Sequence, residues 1–129
     1  TNGTASVEVL EEILPYIDAM NIDLKGFSEK YYRDLSGSFQ AVKGFITRAA
    51  RECHVELTTL IVPGENDDIA TMEEEAKWIA SLGREIPLHV TRFFPVYHKT
   101  EVQATDVGTI ARLAGKAGEY LEHVFIGNC

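Results

Sequence analysis

Cysteine is scarce in this chain. It has two in 129 residues, Cys53 and Cys129, far apart and in no C-x-x-C pair. That excludes a disulfide scaffold and a local zinc site, and makes a reducing compartment the expectation. Long apolar runs are also missing. None approaches the roughly 18 residues a membrane span needs, and no signal-peptide pattern opens the sequence. The expectation is therefore a cytoplasmic protein without a membrane partner. Positive charge is in short supply, with 12 Lys and Arg against 20 Asp and Glu and a formal net charge of -8. A nucleic-acid binder needs a basic footprint, so that class is excluded. What is present is enough to fold. The chain is 45% hydrophobic, too apolar for disorder, and its length suits a single domain over 1–129.

Periodicity divides the chain into alternating helices and strands. "ASVEVLEEILPYI" reads as a helix capped by Ser6, with Val7, Leu10, Ile13, Leu14 and Ile17 as its stripe. "MNIDL" is a short strand, and "SEKYYRDL" a brief helix opened by Ser28. "FQAVKGFITRAARE" is a second long helix burying Phe39, Val42, Phe45, Ile46 and Ala49. "HVELTTLIVPG" is a long strand rich in β-branched residues and stopped by Pro63-Gly64. "DIATMEEEAKWIASLG" follows as a helix with Trp78, Ile79 and Leu82 in its stripe. Glu73, Glu74 and Glu75 are expected at its solvated, positive start. "PLHVTRFF" is a third strand. "DVGTIARLAGKAGEYL" is a helix with Thr105 as its expected cap and Gly108, Gly115 and Gly118 suggesting close packing. "HVFIG" closes the series as a strand, and "TNG" at the start reads as the end of another. Alternating strands and helices mean a parallel sheet, either open or part of a barrel.

"MNIDLKG" is the most informative stretch. Side chains alternate along a strand, so Ile22 and Leu24 should face the helices while Asn21, Asp23 and Lys25 face away. An aspartate and a lysine on such a face need partners. Either they pair structurally, or they line a site at the carboxyl end of a strand, where α/β proteins place ligands. His89 and Thr91 share a strand face and are either lumen residues or a satisfied polar pair. Arg92, on the other register, is either a carboxylate or phosphate binder or a structural ion pair. Cys53 is expected in the core, and His54 and His123 on the surface.

Five landmarks occur in order: "TNG" at 1–3, "NIDLKG" at 21–26, "TTLIVPGEND" at 58–67, "PLHVTRFFP" at 87–95 and "VFIGN" at 124–128. Together they resemble the C-terminal part of a radical S-adenosylmethionine enzyme. The similarity is to the group related to pyruvate formate-lyase activating enzyme, especially the AmmeMemoRadiSam-system proteins. The resemblance implies a partial (β/α)6 barrel with S-adenosylmethionine across the carboxyl ends of its strands. It implies a [4Fe-4S] cluster that cleaves the cofactor reductively to a 5'-deoxyadenosyl radical. The hydrogen donor would be a glycine of a partner protein, a glycyl radical enzyme, or an unknown small molecule.

The same resemblance assigns residues. Lys25 would meet the methionine carboxylate as a point-charge donor. Asp23 would serve the amino-acid end of the cofactor or a monovalent cation, to which Asn21 gives a backbone ligand. Thr1 and Asn2 match the family's "DTNG" loop. Thr58 and Leu60 would approach the nucleoside. The family's proline-linked histidine corresponds to Tyr97 by position or to His98 one residue later. The family's C-x3-C-x2-C cluster motif has no counterpart here, and two scattered cysteines cannot replace it. The expectation is thus a fragment, the latter half of a barrel, holding no cluster and inactive by itself. Its strand edges invite self-association. A non-catalytic ligand-binding or scaffold domain on the same half barrel is the alternative. A flavodoxin-like or receiver-like domain is disfavoured, since "TNGTAS" lacks the acidic residues such a site needs.

Overall fold

The computed structural model describes residues 11–16, 18–24, 39–93 and 104–127. The expected helix before the first strand is seen only at its end. Glu11 to Ile13 are helical and tighten into a 3-10 turn at Leu14–Tyr16, where Pro15 brings no backbone N–H to continue the ladder. Leu14 is buried there. The helix expected at "SEKYYRDL" and the strand expected at "TNG" lie outside the described residues.

Among the described residues four strands follow: β1 (Ala19–Asp23), β2 (His54–Ile61), β3 (Leu88–Arg92) and β4 (Val124–Gly127). They form one all-parallel sheet in chain order. Among the described residues three helices lie between them, α1 (Phe39–Glu52), α2 (Ile69–Leu82) and α3 (Val107–Ala117). The α/β class expected from the pattern is therefore the class observed.

The helices cover one face of the sheet. On α1 the residues at helical spacing, Phe39, Val42, Phe45, Ile46 and Ala49, are all buried. They join Ile22 and Leu24 of the first strand segment, Val55, Leu57 and Ile61 of β2, and Leu88 and Val90 of β3 in a single core. Each large aliphatic or aromatic side chain fully buried there contributes about 1.5–3 kcal/mol. Met72, Ala76 and Ile79 of α2 and Ile110, Leu113 and Ala117 of α3 complete it. Trp78 and Leu82 pack against this core half-buried, as does Cys53, whose thiol donates to the Ala49 carbonyl at 3.4 Å. Burial and the nearby Glu52 push that thiol's pKa up.

The start of α2 is capped within "ENDD" (65–68), the stretch that offers caps in the sequence, while the glutamate run and the start of α3 differ from expectation. The carboxylate at the start of α2 is Asp68, which accepts from the Thr71 amide at 2.9 Å. No acidic residue occupies the first turn of α2. Glu73, Glu74 and Glu75 begin a turn later, and they do not all face solvent. Glu75 is buried and accepts a hydrogen bond from the Thr59 hydroxyl at 3.0 Å. At α3 the cap is Asp106, accepting from the Thr109 amide at 3.0 Å. Thr105, the expected cap, is buried one residue too early and does something else. Of the α3 glycines, Gly108 stands close to a side chain, where a Cβ would lie 2.9 Å from Asp106 Oδ2. Space is open beside Gly115, and Gly118 ends the helix.

Candidate functional site

Strand alternation produces the site. Where Ile22, Leu57, Thr59, Leu88 and Val90 turn to the helices, their neighbours turn to the other face, which the described residues leave uncovered. Asn21 and Asp23 on β1 are exposed, Thr58 is half-buried, and Leu60 is 40% exposed. The ladder fixes their positions. Asn21 pairs with Glu56 and Asp23 with Thr58, while Thr58 pairs with His89 and Leu60 with Thr91. The Thr58 hydroxyl donates to Asn21 Oδ1 at 3.0 Å. Four of the nine residues singled out in the sequence thus share one open face of two adjacent parallel strands. Thr1, Asn2, Lys25, Tyr97 and His98 lie outside the described residues.

The carboxyl rim beneath this face is held by side chains that bond backbone. After β2 the chain turns through Pro63-Gly64, with Gly64 at φ 79°, a left-handed conformation that glycine adopts without strain. Asn66 is buried in that turn. It accepts from the Val62 amide at 2.8 Å and donates to the Leu60 carbonyl at 2.9 Å. Thr105 reaches across from the start of α3. Its hydroxyl accepts from the Phe93 amide at 3.1 Å and donates to the Ile61 carbonyl. Its own carbonyl accepts from Arg92 Nε at 2.6 Å. This bond runs to a backbone carbonyl, a role that neither reading open for Arg92 named. Buried backbone groups at a strand end need partners, and here Asn66 and Thr105 supply them.

The polar partner of His89 is Glu56 on the neighbouring strand. His89 Nε2 lies 2.6 Å from Glu56 Oε1, and His54 Nε2 lies 3.2 Å from Glu56 Oε2. The His89 and then the His54 hydrogen bond hold the Glu56 carboxyl below its ordinary range. His54 and His123 are exposed as expected. Glu56 itself was not singled out in the sequence, although a charged residue in phase with Thr58 and Leu60 already placed it on the same face. Burial pushes the Glu75 carboxyl up to about 8, against the opposing effect of the Thr59 hydrogen bond.

A [4Fe-4S] cluster does not fit the residues of this chain. Such a cluster needs several converging thiolates, and the sequence offers two cysteines, with Cys53 half-buried at the opposite, amino-terminal end of β2. Among the described residues no group of three His, Cys, Asp or Glu is arranged to hold a metal ion. Nor is any described helix long and apolar enough to cross a membrane.

Comparison with known proteins adds a fold likeness and a relative. No family model matches the chain. It is 38% identical over 131 residues to an uncharacterized protein of Methanocaldococcus jannaschii. The match takes in 99% of this chain and 39% of that protein, so the chain spans about two fifths of its relative. Among solved structures it is similar to a domain of pyruvate-formate lyase-activating enzyme from Bacteroides vulgatus, with a TM-score of 0.79 at 18% identity. That alignment covers 94% of this chain and 74% of the other. At such identity the likeness shows the fold, a parallel sheet with helices arranged as in that enzyme domain.

Proposed function

We propose that this chain supplies the S-adenosylmethionine-binding face of a radical S-adenosylmethionine enzyme related to pyruvate formate-lyase activating enzyme. The observation that carries this reading is the shared open face of β1 and β2. Asn21, Asp23, Thr58 and Leu60 stand there at adjacent register positions toward the carboxyl ends of parallel strands. Parallel α/β sheets place ligands at that end. The likeness to an activating-enzyme domain supports the same assignment.

In this reading Asp23 holds the ammonium of the cofactor's methionine end, or a monovalent cation beside it. Lys25, two residues on, pairs with the carboxylate. Thr58 is kept in place by its hydrogen bond to Asn21 and lines the approach to the ribose, and Leu60 gives the adenine an apolar contact. Thr1, Asn2 and either Tyr97 or His98 are the further residues this reading assigns to the cofactor. The cluster, when bound, supplies the electron that cleaves the cofactor. No residue of this chain carries that step, so cleavage belongs to a longer polypeptide or a second component that brings the cysteines.

The test is S-adenosylmethionine binding by the 129-residue chain, measured by isothermal titration calorimetry. We expect saturable binding, weakened at least about tenfold by Lys25→Ala, which is the loss of one charge-assisted contact of ~1.4 kcal/mol or more. Absence of binding, or equal binding by Lys25→Ala and Asp23→Asn, overturns the reading.

A further inference from the structure

The other rim of the sheet carries a second concavity. A cavity of about 670 Å³ opens at the amino-terminal ends of the strands. Its polar wall comes from the starts of three strands: His54 and Glu56 of β2, His89 of β3, and His123 just before β4. Leu82, Ile86, Pro87 and Phe125 form its apolar wall. A smaller hollow of about 240 Å³ is also lined by His54, Glu56 and His89 and reaches Asn21. The larger volume lies in the range of small-molecule sites, which combine apolar walls with a few convergent polar groups.

Three features define what the cavity would accept. Among the described residues no lysine or arginine lines it, whereas two acidic residues, Glu56 and Glu85, do. Glu56 sits where the two imidazoles meet, each of its oxygens engaged by one ring. His89 is fixed from its other side by stacking on Phe125, with centroids 5.3 Å apart and planes at 27°. His54 is the looser partner, 57% exposed and at the longer distance. It can swing away without leaving a buried group unpaired, which frees one edge of the carboxylate.

We propose that this cavity binds a small organic cation, an amine or amidinium on an apolar or aromatic body. The cationic head takes the Glu56 edge that His54 vacates. The body lies against Ile86, Pro87 and Phe125. An ammonium or one N–H of an amidinium donates to Oε2, the oxygen His54 leaves, while Oε1 stays with His89. Among the described residues an anionic ligand would meet Glu56 and Glu85 with no lysine or arginine to offset them. This site is separate from the S-adenosylmethionine reading, lies toward the opposite end of the strands, and stands whether or not that reading does.

The probe is benzamidine, titrated into the 129-residue chain and followed by ¹H–¹⁵N correlation spectra. Benzoate and benzamide serve as the anionic and neutral analogues. We expect saturable shifts at the His54, Glu56, His89 and Phe125 amides, with a Kd on the order of a millimolar for so small a ligand. Benzoate should give none of them. Glu56→Gln keeps the shape of the side chain at a half-exposed position and should weaken benzamidine at least about tenfold. Phe125→Ala, at a site 49% exposed, should weaken benzamidine while leaving guanidinium ion unchanged. Equal binding by Glu56→Gln, comparable binding of benzoate, or no saturable shift at this rim overturns the proposal.

Discussion

The two rims of the sheet are finished in opposite ways. At the carboxyl rim, Asn66 and Thr105 spend their polar atoms on backbone: on Leu60, Val62, Ile61 and Phe93. At the amino rim, side chains bond side chains, with His54 and His89 on Glu56. The first arrangement locks strand ends and leaves Asp23, Thr58 and Leu60 on a rigid platform. The second satisfies the face groups themselves and leaves them exchangeable. Buried backbone amides cannot be left unpaired, whereas half-exposed imidazoles can trade a carboxylate for water at little loss. The difference predicts that the carboxyl rim is where stability is sensitive, and the amino rim where ligands can compete.

The sharpest way to break the comparison is Thr105→Ala. It strands the Ile61 carbonyl and the Phe93 amide at a position 1% exposed. Each buried group left unsatisfied costs about 1–3 kcal/mol, so a loss of about 2–6 kcal/mol is expected in urea unfolding. Thr105→Ser keeps the hydroxyl and should lose only about 1 kcal/mol, for one buried methyl. If the two variants are equally destabilised, the hydrogen bonds do not hold this rim.

Glu75 gives the next effect, and its sign follows from burial. Its carboxyl sits near 8 in the fold, above an ordinary 4.5, so the folded state holds a proton that the unfolded chain releases. Its contribution is then most favourable in acid. It falls as pH rises through the interval between those values and levels off above about 8. Between about pH 6 and 9 the loss amounts to roughly 3 kcal/mol. Glu75→Gln, with no proton to release, should show a flatter profile and exceed the wild type in stability at the alkaline end. Parallel denaturant curves at the two pH values measure this. Identical slopes in both proteins would mean that Glu75 is ionised in the fold.

How much of this could be read beforehand follows the same division. Patterns of period two and 3.6 placed β2, β3, β4 and α1, because a residue's facing depends on its immediate neighbours. Asn21 and Asp23 fell on the open face for that reason. The fastenings did not show. Thr105 sits one residue before the actual cap Asp106, and either reads as a cap locally. Only the crossing from α3 to the ends of β2 and β3 reveals its role. Glu75 ends a run of three acids that resembles a solvated helix start. The helix begins at Ile69, as its sequence pattern has it, so the run falls in the second turn and helical phase turns Glu75 inward. Helix phase, not composition, decided its burial. Glu56 was legible by alternation alone, yet its meaning depended on His89, which the register brings to the next strand.

Leu60 joins the two halves of the comparison with the smallest effect on stability. Its carbonyl is bonded by Asn66, but its side chain stands on the open face, 40% exposed. Leu60→Asn leaves the backbone bond in place and removes little buried apolar surface, so it should cost less than about 1 kcal/mol in urea unfolding. The same change removes the apolar contact proposed for adenine, and S-adenosylmethionine affinity should fall by about tenfold. A fall in affinity with stability intact separates the platform from what stands on it. A stability loss as large as that of Thr105→Ala would mean that the face is covered by protein rather than open to a ligand, and unchanged affinity would remove Leu60 from the site.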